Sequence, residues 1–130
     1  MARFDGKVAL ITGAASAVEG ELMGFGGRAA WRMLREGGRV MVADIADEQG
    51  ERAVAQMRDA SFDATYLHLD VTSERDWERA IEATLSDFGR LDILINIPGA
   101  RDPASILDTD ADHWQWGTYR VEECSWGRSQ

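Results

Sequence analysis

The sequence predicts an α/β protein built on a doubly wound parallel sheet of about four strands in the order 3-2-1-4. Two observations predict this fold: short apolar runs alternate with longer segments of helical periodicity, and the connections between them are short. Such alternation is typical of parallel strands with helices on both faces of the sheet. Right-handed crossovers then give the strand order. With 130 residues and no linker or repeat, we expect one domain, residues 1–130.

Four predicted strands share a short length, partial β-branching and a boundary of turn-forming or charged residues. They are Lys7–Ile11, Arg39–Ala43, Ala64–Leu69 and Leu91–Ile95. Between them, the first helix is predicted over Phe25–Glu36 and is followed by two glycines that end it. Its expected apolar face comprises Phe25, Ala29, Ala30, Met33 and Leu34. The second helix is predicted from Asp47 to about Asp59, with a weaker apolar face.

The third helix has the clearest pattern, because its apolar residues form a single stripe. The stripe comprises Trp77, Ala80, Ile81, Thr84, Leu85 and Phe88. Ser73 and Asp76 resemble a capping pair at its start, and Gly89 is expected to end it. A further helix is expected to start near Asp110, after a segment of loop character.

Composition argues against several classes of partner. The net charge of −9 disfavours nucleic acid and anionic membranes, since both attract clustered Lys and Arg. No apolar run reaches the roughly 18 residues of a membrane helix, and the N-terminus lacks a signal-peptide pattern. The single cysteine, Cys124, permits no internal disulfide and favours a cytoplasmic location. His68, His113 and Cys124 fall at no zinc-like spacing, so no metal site is expected.

A glycine-rich stretch, "TGAASAVEGELMGFGG", joins the first strand to the first helix at residues 12–27. Glycine lets the backbone approach a phosphate, and the N–H groups at a helix start attract anions. An acid at the end of the second strand strengthens this interpretation: Asp44 lies 18 residues beyond Gly26. A carboxylate there accepts hydrogen bonds from ribose hydroxyls and repels a 2′-phosphate. Ile45 follows with no basic residue beside it, so NAD is favoured over NADP. The alternative is that Asp44 only caps the next helix.

Four ordered motifs make the chain resemble the N-terminal half of the short-chain dehydrogenase/reductase family. They are "DGKVALITGAAS", "VADI", "LDVT" and "GRLDILIN", and the match covers roughly residues 4 to 114, before an atypical tail at 115–130. The resemblance implies a Rossmann-like sheet that is incomplete on its C-terminal side, and NAD as cofactor. It also implies that Asp70, with Val71 beside it, contacts the adenine amino group. Asn96 would steady the sheet and line the cofactor groove, and capping of the next helix is a second role open to Asp70.

The family's glycine pattern is interrupted in this chain. The pattern TGxxxGxG corresponds to Thr12–Ser16 followed by Gly24, Phe25 and Gly26, with "AVEGELM" (residues 17–23) between the halves. A rival match beginning at Gly20 lies nine residues past the first strand, too far for a tight turn. We therefore interpret residues 17–23 as a seven-residue insertion. The resemblance makes Gly13, Ser16, Gly24, Phe25 and Gly26 cofactor-binding residues.

The insertion carries two carboxylates, Glu19 and Glu21. Either they lie near the pyrophosphate, where negative charge is unfavourable, or the insertion bulges into solvent. After the fourth strand the family usually has Asn-Asn-Ala-Gly, whereas this chain has Asn96-Ile97-Pro98-Gly99. Pro98 has no backbone donor and restricts the residue before it, which removes a potential cofactor contact.

The family's Tyr-x-x-x-Lys pair is absent from these 130 residues. Its tyrosine acts as a general acid/base, and its lysine lowers the pKa of that tyrosine. Here Tyr66 and Tyr119 are followed four residues later by Asp70 and Glu123, and Lys7 is the single lysine. No catalytic residue is therefore assigned, and we expect this chain alone to be inactive.

The tail after "DADHW" departs from the family pattern. If Glu123–Gly127 is encoded GAA-TGT-TCC-TGG-GGN, a shifted frame reads Met-Phe-Leu-Gly, which fits the family's next helix. One hypothesis is therefore a frameshifted or truncated dehydrogenase, and the alternative is a natural tail. Sequencing the gene through the stop codon distinguishes them, because only a frameshift leaves a family-like continuation in another frame.

Three functions remain open at this point. The chain is the NAD-binding portion of a dehydrogenase, a non-catalytic nucleotide-binding or interaction module, or an inert fragment. A sheet that ends at its fourth strand would expose an edge and an apolar patch. We therefore expect self-association through that edge.

Overall fold

The computed structural model describes residues 2–97, in which strands and helices alternate along the chain. The elements are β1 (Val8–Thr12), α1 (Phe25–Arg35), β2 (Arg39–Asp44), α2 (Asp47–Asp59), β3 (Ala64–His68), α3 (Glu74–Phe88) and β4 (Ile93–Asn96). The four strands form one parallel sheet in the order β3-β2-β1-β4. The predicted fold class and strand order are thereby confirmed. The helix expected near Asp110 and the tail at 115–130 lie outside the described residues.

The register brings the carboxyl ends of all four strands to one edge of the sheet. Thr12 pairs with Ala43 on one side and with Asn96 on the other, and Asp44 pairs with His68. We call this edge the carboxyl edge, defined by Thr12, Asp44, His68 and Asn96. Ligands of open α/β sheets bind outside this edge, between the loops that leave the strands.

The sheet is covered on its two faces by separate apolar clusters. α1 and α2 pack on one face, where Trp31, Leu34 and Met57 join β1 and β2 residues in the core. α3 packs on the other face through Trp77, Ala80 and Phe88. Every residue of β1 is buried, as expected for a central strand of a parallel sheet.

Three residues of the predicted apolar faces are exposed. Phe25 is 82% exposed, because it opens α1 at the carboxyl edge, beyond the helical turns that pack on the sheet. Ile81 and Leu85 are 41% and 47% exposed, at the margin of the α3 stripe. Conversely, Trp31 was not on the predicted face of α1, yet it is buried. It is held there by a hydrogen bond from its Nε1 to the carbonyl oxygen of Ala17, 2.6 Å away.

The ends of α3 follow the predicted local signals. The Ser73 hydroxyl accepts a hydrogen bond from the backbone N–H of Asp76, and Gly89 adopts a left-handed conformation with φ of +79°. At the end of α1, the carboxylate of Glu36 pairs with Arg3 and Arg32. Among residues 2–97, no helix is long and apolar enough to cross a membrane.

Candidate functional site

The turn from β1 into α1 is packed so closely that Gly13, Gly26 and Gly27 admit no side chain. A Cβ on Gly27 would lie 2.3 Å from the carbonyl oxygen of Ser16. A Cβ on Gly13, whose φ is +69°, would lie 1.9 Å from the carbonyl oxygen of Ile97. A Cβ on Gly26 would lie 2.6 Å from the carbonyl oxygen of Gly13. A Cβ on Gly24 would make only an ordinary 3.5 Å contact with the Cβ of Ser16. The first turn of α1 therefore rests directly on the backbone that leaves β1.

Residues 17–23 leave this turn and return to it at the same point. The backbone N–H of Gly24 donates to the carbonyl oxygen of Ser16 at 3.0 Å, so the two predicted halves of the glycine pattern are adjacent in space. Gly20, which begins the rival match, is exposed, and a Cβ added there would meet no atom of the described residues within 4 Å. This is the geometry expected of an insertion into a loop whose ends remain together.

The insertion packs outward along α1 and α2. Val18 and Met23 contact the core on that face of the sheet. Glu19 pairs with Arg35, and its backbone exchanges hydrogen bonds with the Gln56 side chain. The Glu21 carboxylate lies 2.6 Å from the guanidinium of Arg52. Both carboxylates are therefore paired with arginines of the helices instead of standing unpaired at the turn.

The N-terminus of α1 is open to an anion. Within residues 2–97, the backbone N–H groups of Phe25, Gly26 and Gly27 have no protein acceptor. Gly24 provides no side-chain cap, and the first turn contains no acidic residue. Because the unsatisfied N–H groups carry the positive end of the helix dipole, a phosphate is the type of group that this turn accommodates.

Asp44 stands opposite that turn and is hydrogen-bonded to it. Its Oδ2 accepts from the backbone N–H of Ala15 at 3.0 Å. Its Oδ1 accepts from the N–H groups of Ile45 and Ala46 at 2.7 and 3.3 Å. A carboxylate has about four acceptor positions, so Asp44 retains capacity for a hydroxyl of a bound sugar. Ile45 beside it is 51% exposed.

Asp70 and Val71 follow β3 and take part in the start of α3. The Asp70 carboxylate accepts from the N–H and hydroxyl of Thr72, at 2.9 and 2.7 Å. The N–H of Asp70 donates to Asp76 and, together with Arg79, holds the pKa of that carboxyl below its ordinary value. The carbonyl oxygen of Val71 accepts from the indole of Trp77. The alternative role of Asp70 in building the helix start is thus present, and its adenine contact stays a prediction.

Asn96 joins β4 to β1 at the carboxyl edge. Its Oδ1 accepts a hydrogen bond from the hydroxyl of Thr12, the residue paired with it in the sheet. Ile97, the next residue, donates its N–H to the carbonyl oxygen of Thr12. Its own carbonyl oxygen is the atom that excludes a side chain at Gly13. The end of β4 therefore helps to hold the glycine turn in place.

Three residues that the sequence analysis did not assign lie around Asp44. The Tyr66 hydroxyl is 2.8 Å from the carbonyl oxygen of Asp44 and 2.6 Å from a carboxylate oxygen of Asp47. His68 Nδ1 contacts the same oxygen of Asp47 at 2.7 Å. The Tyr66 and His68 hydrogen bonds lower the pKa of Asp47, whereas burial and Asp47 raise the pKa of Tyr66 well above its ordinary value.

A signal for this cluster was present in the sequence. Tyr66 and His68 are polar residues two apart in a predicted strand, so they share one face of the sheet. The Tyr66 ring also packs on Gly50 of α2, where a Cβ would lie 2.1 Å from it. The Tyr66 side chain therefore helps to build the structure around Asp44, through its two hydrogen bonds and its packing on Gly50. Within the described residues, no group of three or more His, Cys, Asp or Glu side chains is arranged to hold a metal; His113 and Cys124 lie outside them.

The family model for short chain dehydrogenases matches residues 7–117. Curated relatives include the cyclopentanol dehydrogenase of Comamonas sp., which is 37% identical over 114 residues. That alignment covers 88% of this chain and 43% of the relative. A 2,5-dichloro-2,5-cyclohexadiene-1,4-diol dehydrogenase of Sphingobium indicum is 38% identical, and the alignment covers 86% of this chain and 42% of the relative. A 3-alpha-(or 20-beta)-hydroxysteroid dehydrogenase of Mycobacterium tuberculosis is 36% identical, and the alignment covers 87% of this chain and 40% of the relative.

Solved structures show the same relationship. A short chain dehydrogenase from Mycobacterium smegmatis superposes with a TM-score of 0.79 at 25% identity, covering 98% of this chain and 52% of its own. A short-chain dehydrogenase/reductase from Burkholderia xenovorans superposes with a TM-score of 0.77 at 30% identity, covering 95% of this chain and 50% of that structure's chain. The chain therefore spans less than half the length of the curated relatives it matches, and about half of the solved structures.

Proposed function

This chain belongs to the short-chain dehydrogenase family, and we propose that it is the NAD(H)-binding portion of an oxidoreductase of that kind. The observation that carries the proposal is the open N-terminus of α1 beside Asp44. Gly13 and Gly26 let the start of α1 pack directly on the backbone that leaves β1, and the N–H groups of its first turn have no acceptor within residues 2–97 and could bind a pyrophosphate. The Asp44 carboxylate is held across the turn, where it would accept from the adenosine ribose.

The preference for NAD over NADP rests on the charge next to this ribose position. Asp44 and Asp47 supply carboxylates, and Ile45 between them is apolar and exposed. A 2′-phosphate at this place would meet the negative charge of these carboxylates, whereas a 2′-hydroxyl would donate to Asp44. Asp70, Val71 and Asn96 complete the proposed groove along the carboxyl edge, and Ser16 and Phe25 border it at the turn.

The proposal is tested by isothermal titration of the full chain with NAD, NADH and NADP. Binding of NAD and NADH, with at least about ten-fold weaker binding of NADP, is the expected result. Asp44→Asn is the matched variant, because it keeps the size of the side chain and removes the charge, although one of the two oxygens that accept from the Ala15 and Ile45 N–H groups is replaced by a donor. This variant should reduce the difference in affinity between NAD and NADP. No detectable binding of either cofactor would instead favour an inert fragment.

We propose hydride transfer between NAD and an alcohol or ketone as the activity of the whole enzyme. The relatives' names support an alcohol substrate, since they are dehydrogenases of cyclopentanol, of a cyclic diol and of hydroxysteroids. Within residues 2–97, Tyr66 is occupied with Asp44 and Asp47, and these 130 residues contain no Tyr-x-x-x-Lys pair. A panel of secondary alcohols assayed with NAD distinguishes a dehydrogenase from a nucleotide-binding module without chemistry.

Two further properties are proposed with this function. We expect copies of the chain to associate through the β4 side of the sheet, where Leu94 is 45% exposed; Ile81 and Leu85 of α3 are exposed apolar residues too. Size-exclusion chromatography with light scattering should show oligomers that Leu94→Ser weakens, and a monodisperse monomer would contradict the proposal. A cytoplasmic location and the absence of nucleic-acid binding are proposed from the single cysteine and the net charge of −9.

A further inference from the structure

We infer that Glu21 of the insertion is a specificity-determining residue, which masks Arg52 and thereby helps to exclude cofactors that carry a 2′-phosphate. This inference rests on the proposed NAD site and extends it to a residue outside the family's glycine pattern. The Glu21 carboxylate and the Arg52 guanidinium are 2.6 Å apart, and both side chains are about half exposed. The pair is therefore a surface contact whose influence comes mainly from charge neutralisation.

Arg52 lies where a free cation would affect the adenosine ribose. An open hollow runs along the start of α2, lined by Ala46, Asp47, Glu48, Gln49 and Arg52. It begins two residues after Asp44, whose carboxylate binds the N–H of Ala46. Of the described residues that line this hollow, Arg52 alone is cationic. Helical side chains lean towards the helix N-terminus, which brings Arg52 towards the Asp44 side of the hollow.

The insertion is anchored in a way that keeps Glu21 over Arg52. The Glu19 backbone is hydrogen-bonded to Gln56, one turn further along α2 than Arg52. Ala17 is buried against Trp31, whose indole donates to its carbonyl. Glu21 is therefore presented to α2 by a loop that these contacts hold against both helices.

Masking Arg52 is expected to affect the binding of NADP but not that of NAD. An unmasked Arg52 would attract a 2′-phosphate through the hollow and would have little effect on a 2′-hydroxyl. Since Arg is the residue type that accommodates the 2′-phosphate in dinucleotide folds, pairing Arg52 with Glu21 removes that option. The Asp44 carboxylate repels the 2′-phosphate. Glu21 neutralises the Arg52 guanidinium, which could otherwise offset this repulsion.

The test is titration of Glu21→Gln with NAD and NADP, using the full chain. At low ionic strength we expect about a five-fold gain in NADP affinity with NAD affinity unchanged, and a smaller gain in about 0.3 M salt because these charges are screened. Glu19→Gln is the matched control, since it breaks the other ion pair of the insertion, on α1, and should leave the NADP/NAD ratio unchanged. The double variant Glu21→Gln/Arg52→Gln should lose the gain.

The outcomes separate this inference from the proposed function. If wild-type protein binds NAD but Glu21→Gln leaves the NADP/NAD ratio unchanged, the inference is wrong and the proposed function stands. The inference is also wrong if the gain persists in the double variant, or if Glu19→Gln produces an equal gain. If wild-type protein binds no NAD at all, the proposed function fails, and the inference fails with it.

Discussion

The helices α1 and α3 both begin at the carboxyl edge of the sheet, yet their N-termini are built in opposite ways. α3 has Ser73 as a capping side chain and two acidic residues, Glu74 and Asp76, in its first turn. α1 has Gly24 at the capping position, no side-chain cap and no acid in its first turn. α3 satisfies one of its first-turn N–H groups with the Ser73 side chain and places two acids at the positive end of its dipole, whereas α1 has neither feature.

This difference separates a helix start that stabilises the fold from one that is available to a ligand. A capped N-terminus contributes on the order of 1 kcal/mol to stability. An uncapped one forgoes that contribution and keeps its donors free for an anion. The first turn of α2 resembles α3 in composition, since Asp47 and Glu48 open it. Among the three described helices, α1 is therefore the one suited to a pyrophosphate.

The largest effect is expected from a side chain at Gly26. In Gly26→Val the Cβ would start 2.6 Å from the carbonyl oxygen of Gly13, so α1 must move away from the turn. We expect a loss of about 2 kcal/mol in the free energy of unfolding and a loss of NAD affinity of roughly 100-fold or more. Chemical denaturation and calorimetric titration measure the two. Gly24→Ala is the control, because its Cβ finds 3.5 Å of space; equal damage by both variants would contradict this account of the turn.

A second variant would give α1 the start that α3 has. Gly24 has φ of −78° and ψ of 173°, which any residue adopts, so Gly24→Asp can cap the helix without strain. We expect the unfolding free energy to rise by about 0.5 kcal/mol and NAD affinity to fall about ten-fold, because the carboxylate competes with the pyrophosphate. Gly24→Asn supplies the cap without the charge, and it should stabilise the protein with a smaller loss of affinity. A Gly24→Asp protein that binds NAD normally would exclude the α1 N-terminus as the phosphate site.

The converse change removes the cap of α3. Ser73→Ala deletes the hydroxyl that accepts from the Asp76 N–H, and we expect a loss of about 1 kcal/mol in the free energy of unfolding. NAD affinity should not change, because Asp70 and Thr72 keep their own hydrogen bonds. Urea denaturation measures the loss. Ser86→Ala, at an exposed position within α3, provides the comparison and should be neutral or slightly stabilising.

The smallest expected effect is the acid dependence of the α3 start. The Asp70 N–H and Arg79 hold the pKa of Asp76 below its ordinary value of 3.8. A carboxyl with a depressed pKa in the folded state stabilises the protein fully above its ordinary pKa, and this contribution is lost as the pH falls through the folded value. The stability difference between wild type and Asp76→Asn should therefore be constant above about pH 5 and shrink at pH values below the ordinary pKa. Urea denaturation over a pH series measures it, and a difference that grows on acidification would contradict the assignment.

The sequence was sufficient for the fold because the signals that specify it are local. Strand–helix alternation, the glycine after α3 and the Ser73 cap are all readable from neighbouring residues. The adjacency of Ser16 and Gly24 was also anticipated, from the spacing of the family's glycine pattern. The strand boundaries differed from the predicted ones by only one or two residues, with β1 ending at Thr12 and β4 beginning at Ile93.

The sequence was insufficient where a residue's role depends on distant partners. The periodicity of α1 placed Phe25 on its buried face, but the position of that residue at the carboxyl edge leaves it exposed. Trp31 is buried because the insertion offers it a carbonyl, which no helical pattern encodes. Likewise, the contacts of Tyr66 with Asp44 and Asp47 depend on the pairing of β2 with β3 and on how α2 packs.

The junction between Ser16 and Gly24 has a practical consequence for engineering. Because the two ends of the intervening segment are hydrogen-bonded to each other, the frame of the glycine turn does not depend on how many residues lie between them. The entropy of closing a flexible loop grows slowly with its length, by roughly 0.6 kcal/mol for each doubling. A reporter peptide or a fluorescent domain grafted at the exposed Gly20 would therefore sit beside the phosphate turn without rebuilding it. Residues 17–23 would then be an attachment site for a reporter that senses nicotinamide-cofactor binding.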